Sequence, residues 1–393
     1  MTAPAPATRI VAVDEIAAPV ASQMRNAYVD FSKMTCSVIA ITAEHRGRRL
    51  TGFGYTSNGR YAQSGLLRER FIPRLLAAPP GAFADESGDG LDPRTVRGVL
   101  MQNEKPGGHG ERSVAVGGLE MAVWDLAAKI AGEPGHRFIA RRYGCAVPPD
   151  RVTVYAAGGY YEPTSSLAEL RAEIRRFVDL GYPLVKMKIG GAPLDVDLAR
   201  IAAAVDEARP DAAVAVDANG RLTVAEAIDY GRALGAAGVH WFEEPVDPLD
   251  YGGLAEVASA VTVPLATGEN LFSAQDARNL VRFGGLDPAT ATLQMDPVLS
   301  YGVVEYREML DAAAAAGWAA TRFVPHGGHH LALACAAAFG LGGAEVYPTK
   351  FQPFGVATPT MRIDGGSMPL SDVPGLGLEL RPDLDSVLRR LIP

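Results

Sequence analysis

Residues 182–191 read YPLVKMKIGG. Leu184, Val185, Met187 and Ile189 make the short apolar run expected of a strand covered on both faces. Lys186 and Lys188 interrupt that run two residues apart, which on a strand puts both ammonium groups on one face. A lysine is rarely buried without a partner. The lysine face must therefore look onto something anionic.

Outward from this stretch the chain alternates between two patterns. Short β-rich runs occur at VTVYAAGG (152–159), LVKMKIG (184–190), AVAVDAN (213–219), HWFEEPV (240–246), PLATGEN (264–270), ATLQMDP (291–297), TRFVPHG (321–327) and AEVYP (344–348). Between them lie Ala-rich stretches with helical spacing, such as LAELRAEIRRFVDLG and VVEYREMLDAAAAAG. Eight strand–helix units predict an α/β fold, a modified TIM (β/α)8 barrel. Before it, TRIVAVDEI, CSVIAITAE and LTGFGYTS alternate as half-buried strands, and SVAVGGLEMAVWDLAAKIAG (113–132) reads as a helix. The expected organisation is an α+β capping domain at 1–145 and the barrel at 146–360. A Pro/Gly-rich segment at 361–393 should pack back on the cap.

Composition narrows the function classes. The 393 residues are 48% hydrophobic with a net charge of −8 and no long run of one sign. That argues against a nucleic-acid or anionic-membrane partner. Cys36, Cys145 and Cys335 lie far apart with no CxxC, which suits a reducing cytoplasm and neither a disulfide framework nor a zinc site. No basic segment followed by an apolar block opens the chain, and no apolar run reaches membrane-spanning length. Neither GxGxxG nor GxxxxGK[ST] occurs in a strand-to-helix context.

Catalytic groups of such barrels sit at the C-terminal ends of the strands. Here those ends carry Lys186 and Lys188, Asp217 and Asn219, Glu243 and Glu244, Glu269 and Asn270, Asp296, His326 and Glu345. Asp217, Glu243 and Glu269 recur at intervals of 26, one strand–helix unit each, so they should stand side by side. Three carboxylates cannot converge in a water-poor cavity without a cation. Oxygen-only ligands on rigid strands favour Mg²⁺, with waters or substrate completing the octahedron. Lys186 and that metal should both push Lys188 towards its neutral form.

The set KMK (186–188), DAN (217–219), EEP (243–245), GEN (268–270), QMD (294–296) and PHGGHH (325–330) resembles the mandelate racemase branch of the enolase superfamily. The resemblance implies one Mg²⁺ per subunit on Asp217, Glu243 and Glu269, Lys188 as base and Lys186 as a clamp on the substrate carboxylate. It also implies His326, paired with Asp296, as the partner on the other side, and a symmetric homo-oligomer. His329 and His330 should cap or pack the following helix. His45, His109, His136 and His240 show no arrangement suggesting a site.

Two Gly-rich polar loops of the cap, GYTSNGRYAQSG (54–65) and MQNEKPGGHGERS (101–113), suit closure over a small ligand. Asn58 and Lys105 would then join Asn219 and Glu345 in binding substrate. This arrangement is similar to that of branch members that dehydrate D-tartrate, and implies a small carboxylate substrate converted to oxaloacetate and water. Dehydration or epimerisation of another acid sugar stays open, as does a non-catalytic ligand-binding barrel.

Overall fold

The computed structural model describes residues 8–20, 22–79, 81–162 and 166–392. Three antiparallel strands open the chain: β1 (Thr8–Pro19), β2 (Thr35–His45) and β3 (Arg48–Tyr55), in the order β1-β2-β3. β2 is rich in β-branched residues and lies between its neighbours, with Val38, Ile39 and Ile41 fully buried. Arg46 and Gly47, at φ 50° and 75°, make the two-residue β2–β3 hairpin.

The helix Glu111–Ala131 packs on β3 and is buried continuously from Ser113 to Ala128. Its small residues allow the contact: a Cβ at Gly52 of β3 would lie 2.3 Å from the Ala122 carbonyl oxygen. It ends at Gly132, whose left-handed φ of 69° supplies the C-terminal cap.

Seven parallel strands form most of the barrel: β4 (Arg151–Gly158), β5 (Leu184–Lys188), β6 (Ala213–Asp217), β7 (Phe242–Glu243), β8 (Leu265–Thr267), β9 (Thr292–Leu293) and β10 (Ala344–Val346). They run in the order β10-β4-β5-β6-β7-β8-β9, with helices between them. Two of those helices begin with reciprocal capping pairs, Ser166 with Glu169 and Thr223 with Glu226.

The run TRFVPHG does not form the expected regular strand. Ala320–Arg322 is a helical turn, and Pro325 has no N–H to give to a ladder. The following residues still close the ring, because Val324 N donates to Leu293 O (2.9 Å) and Glu345 N to Pro325 O (3.1 Å).

The tail does not lie wholly on the cap. Its strand β11 (Ser367–Pro369) pairs antiparallel with β4 of the barrel. Beyond it the chain does reach the cap helix, where Leu376 N donates to Asp125 Oδ1 (2.6 Å) and Lys129 pairs with Glu379. Among the described residues no helix is long and apolar enough to cross a membrane.

Candidate active site

Tyr155, Ala215, Trp241 and Ala266 pack together inside the barrel and close its floor. Above that floor Lys186 and Lys188 both point inward, as their spacing requires, and are 1% and 4% exposed. Lys186 Nζ donates to Glu243 Oε1 (2.5 Å) and is ion-paired with Glu345 Oε1 (2.7 Å), and Lys188 Nζ donates to Asp217 Oδ2. The anionic face implied by the lysine spacing is therefore an arc of strand-end carboxylates.

Asp217, Glu243 and Glu269 each bring one carboxylate oxygen to within 4.8 Å of the others. They stand on β6, on β7 and just past β8, adjacent strands in the ring. Glu243 Oε2 is fixed by Trp241 Nε1–H (3.0 Å) and by the Gln294 amide (2.7 Å). Burial, then repulsion from Asp217, pushes Glu243 up to about 8. Against the cost of burial, Lys188 and then Lys186 hold Asp217 down to about 2. The buried oxygens Glu269 Oε2 and Asn219 Oδ1 have no hydrogen-bond donor among the described residues. Convergent acids with orphaned oxygens fit a hard divalent cation, and Asp217, Glu243 and Glu269 would hold it.

Lys186 opposes the charged form of Lys188, in the expected direction. The Asp217 carboxylate outweighs burial and holds the Lys188 ammonium protonated, above the usual lysine range. A cation on Asp217 would take over that counter-charge, and the neutral form becomes accessible only then.

At the other end of the arc His326 Nδ1–H donates to Asp296 Oδ2 (3.0 Å), while Nε2 lies 3.5 Å from Glu269 Oε2 and 3.7 Å from Glu345 Oε2. Burial opposes the charged imidazole, but Glu269 and Glu345 outweigh it and raise His326 to about 9. Asp296 Oδ1 accepts from Val298 N (2.7 Å), Leu299 N (3.1 Å) and His329 Nε2 (3.0 Å). His329 caps the helix His330–Ala338 through Ala332 N, and His330 bonds Tyr55 OH (3.1 Å), so both have the structural roles expected. Against burial, Lys186 and His326 hold Glu345 down to about 2.

The substrate-side positions are less uniform. Asn219 sits in the left-handed region (φ 49°) and donates to Asp217 Oδ2 (3.3 Å) and Glu269 Oε1 (3.5 Å). Asn58 reaches from the cap to Gly327 O (3.4 Å), beside His326. Lys105 is exposed and is not brought to the acids. Its neighbour Glu104 is pinned by Arg70, Arg74 and Arg112 (2.6, 2.7 and 3.1 Å), which leaves Lys105 at the rim. Residues 106–109 of that loop line a cavity of about 690 Å³ together with Asn270 and Phe272.

Several contributors escape the sequence reading. Ser57 Oγ donates to Asp296 Oδ2, and Tyr347 OH lies between Glu345 and His326. Arg60 donates to Asn270 Oδ1 (2.7 Å), whose amide nitrogen in turn spans both oxygens of the buried Glu244 (2.9 and 3.0 Å). For Trp241, Gln294 and Tyr347 the signal was present: each sits two residues from Glu243, Asp296 and Glu345, on the same face of its strand.

Residues 169–384 match the enolase C-terminal domain-like family, and the chain belongs to that family within the enolase superfamily. It is 29% identical over 282 residues to arabinonate dehydratase of Saccharolobus solfataricus, covering 69% of this chain and 72% of that one. It is 28% identical over 308 residues to L-talarate/galactarate dehydratase of Salmonella typhimurium, covering 76% and 73%. A racemase from Streptomyces coelicolor A3(2), solved with bound magnesium, superposes with a TM-score of 0.76 at 25% identity, covering 98% of this chain and 99% of that one.

Proposed function

We propose that the protein is a Mg²⁺-dependent dehydratase of a small dihydroxy acid, with D-tartrate as substrate and oxaloacetate and water as products. The observation that carries this reading is the placement of Lys188 and His326 at the two ends of the arc formed by Asp217, Glu243 and Glu269. The acid-sugar dehydratases among the similar proteins support the reaction class.

One Mg²⁺ per subunit, held by those three acids, would supply fixed positive charge beside the substrate carboxylate, where negative charge develops as the α-proton leaves. Lys186, already paired with Glu243 and Glu345, stays charged and holds the same carboxylate. Lys188 takes the α-proton. His326 donates a proton to the departing β-hydroxyl, the C–O bond breaks with its electron pair, and water leaves. The enol so formed tautomerises to the 2-keto acid. Asn58 faces the His326 side, and Lys105 meets the distal carboxylate of a four-carbon diacid when its loop closes. Groups at both ends of the arc also allow reprotonation from the opposite face, which would make an epimerase.

The test is a screen of the purified protein with Mg²⁺ against the three tartrates and a panel of longer acid sugars, reading 2-keto acid. Oxaloacetate from D-tartrate is the expected result. Keto acid from a longer substrate alone would overturn the substrate assignment. Stereochemical inversion without keto acid would overturn the dehydration.

A further inference from the structure

The hydroxyl of Tyr347 lies 2.7 Å from Glu345 Oε2 and 3.2 Å from His326 Nε2, and the residue is 1% exposed. A phenol carries one hydrogen. Glu345 is held ionised by Lys186 and can only accept, so at 2.7 Å the phenol donates to it. The phenol oxygen is then left to accept from His326, which requires a hydrogen on Nε2. Nδ1 faces Asp296, another acceptor.

We infer that Tyr347 is the positioning residue of the acid: its one hydroxyl bridges Glu345 and His326 Nε2 and holds the ring in place, with Nε2–H resting on the phenol oxygen until the substrate β-hydroxyl takes its place as acceptor. This rests on the reading of His326 as the acid. When Nε2–H breaks and its proton passes to the β-hydroxyl, Nε2 becomes a lone pair. The Tyr347 O–H then turns from Glu345 Oε2 to Nε2 and transfers no proton of its own. Glu345 stays satisfied through Lys186 and through Gly327 N–H (3.2 Å). One hydroxyl thus serves His326 before and after proton delivery, and the Tyr347 ring that carries it is braced edge-on by Phe351 at 4.6 Å.

Tyr347→Phe keeps the ring and removes only the hydroxyl. The expected result is a ten- to hundredfold fall in kcat for dehydration with KM, α-proton exchange at the Lys188 side and Mg²⁺ affinity unchanged. Full dehydration in the variant, or an equal loss of exchange and dehydration, overturns the inference. Imidazole ¹H–¹⁵N NMR provides a second reading independent of turnover. The wild type should show a His326 Nε2–H that exchanges slowly with water, and the variant one that exchanges at least tenfold faster. An unchanged signal overturns the positioning role. A wild type that shows this signal but makes no keto acid refutes the dehydratase reading and leaves the Tyr347 inference supported.

Discussion

Ser57 of the cap donates its hydroxyl to Asp296 Oδ2 (2.7 Å), the same oxygen that receives His326 Nδ1–H. The two residues are 239 positions apart, so the cap loop reaches through the barrel mouth to the group that orients the acid. Asp296 is thereby ringed by donors, and against burial His329 and His326 hold its carboxyl far below the usual range.

Asp296→Asn keeps the shape and removes the charge that supports protonated His326. Dehydration should fall on the order of 10²–10⁴-fold, the range seen when an orienting carboxylate or a general acid is lost. α-Proton exchange in D₂O should continue. Parallel steady-state kinetics and NMR exchange check this; equal loss of both would place Asp296 outside the acid arm.

His326 carries the pH dependence. Its proton affinity is raised from the ordinary 6.5 to about 9 by Glu269 and Glu345. Because the acid works protonated, dehydration should decline as pH rises, with its limb between 6.5 and about 9 once a bound cation offsets part of Glu269. The same shift makes His326 stabilising below 6.5 and no longer so above about 9. A pH–rate profile with Mg²⁺ present measures the limb, and a rate that rises across this window would contradict the role.

Glu120 of the cap helix lies under the start of the helix Val303–Ala315, where a Cβ on Gly302 would come within 2.0 Å of its Oε2. Burial lifts its carboxyl to about 8, despite Arg97, Trp124 Nε1–H and two backbone N–H groups. Its folded value lies above its ordinary 4.5, so its contribution to stability shrinks as pH climbs from 4.5 to about 8. Glu120→Gln should leave stability at pH 4 nearly unchanged and add about 1–3 kcal/mol at pH 9, the cost of a buried unsatisfied group. Urea unfolding at both pH values decides it; identical pH dependence of the two proteins would refute the burial argument.

Gly117 on the cap helix abuts the loop that follows Asp296. A Cβ there would sit 1.9 Å from the Val298 carbonyl oxygen, and Val298 N is one of the donors to Asp296. Gly117→Ala should cost about 1–3 kcal/mol through overpacking and lower dehydration by shifting that loop. Denaturant midpoints with kcat test both effects. Wild-type values in both would show that the contact is not tight.

The converging acids predict metal-linked stability. Mg²⁺ at a hundredfold excess over its dissociation constant should add about 2.7 kcal/mol. Calorimetry with and without EDTA measures it, and Asp217→Asn should abolish the gain. A Tm indifferent to Mg²⁺ would remove the acids from the metal role.

The barrel, the lysine face and the acid arc were legible because a strand repeats every two residues and the three acids recur at intervals of 26. The same periodicity carried Trp241, Gln294 and Tyr347, which went unread: Trp and Tyr are often buried for packing alone, and Gln294 carries no charge to mark it as part of the acid arc. The segment TRFVPHG read as a strand from its apolar residues, yet Pro325 denies it a regular ladder. Ser57 and Arg60 could not be read at all. Their partners, Asp296 and Asn270, are brought to them only by the docking of the cap on the barrel.

The most direct test of the account is Lys188→Ala with Mg²⁺ in D₂O, using the acid that the wild type dehydrates. The account predicts that Mg²⁺ still binds, by calorimetry, while α-proton exchange and keto acid formation are both lost. An α-proton that continues to exchange at the wild-type rate would contradict it.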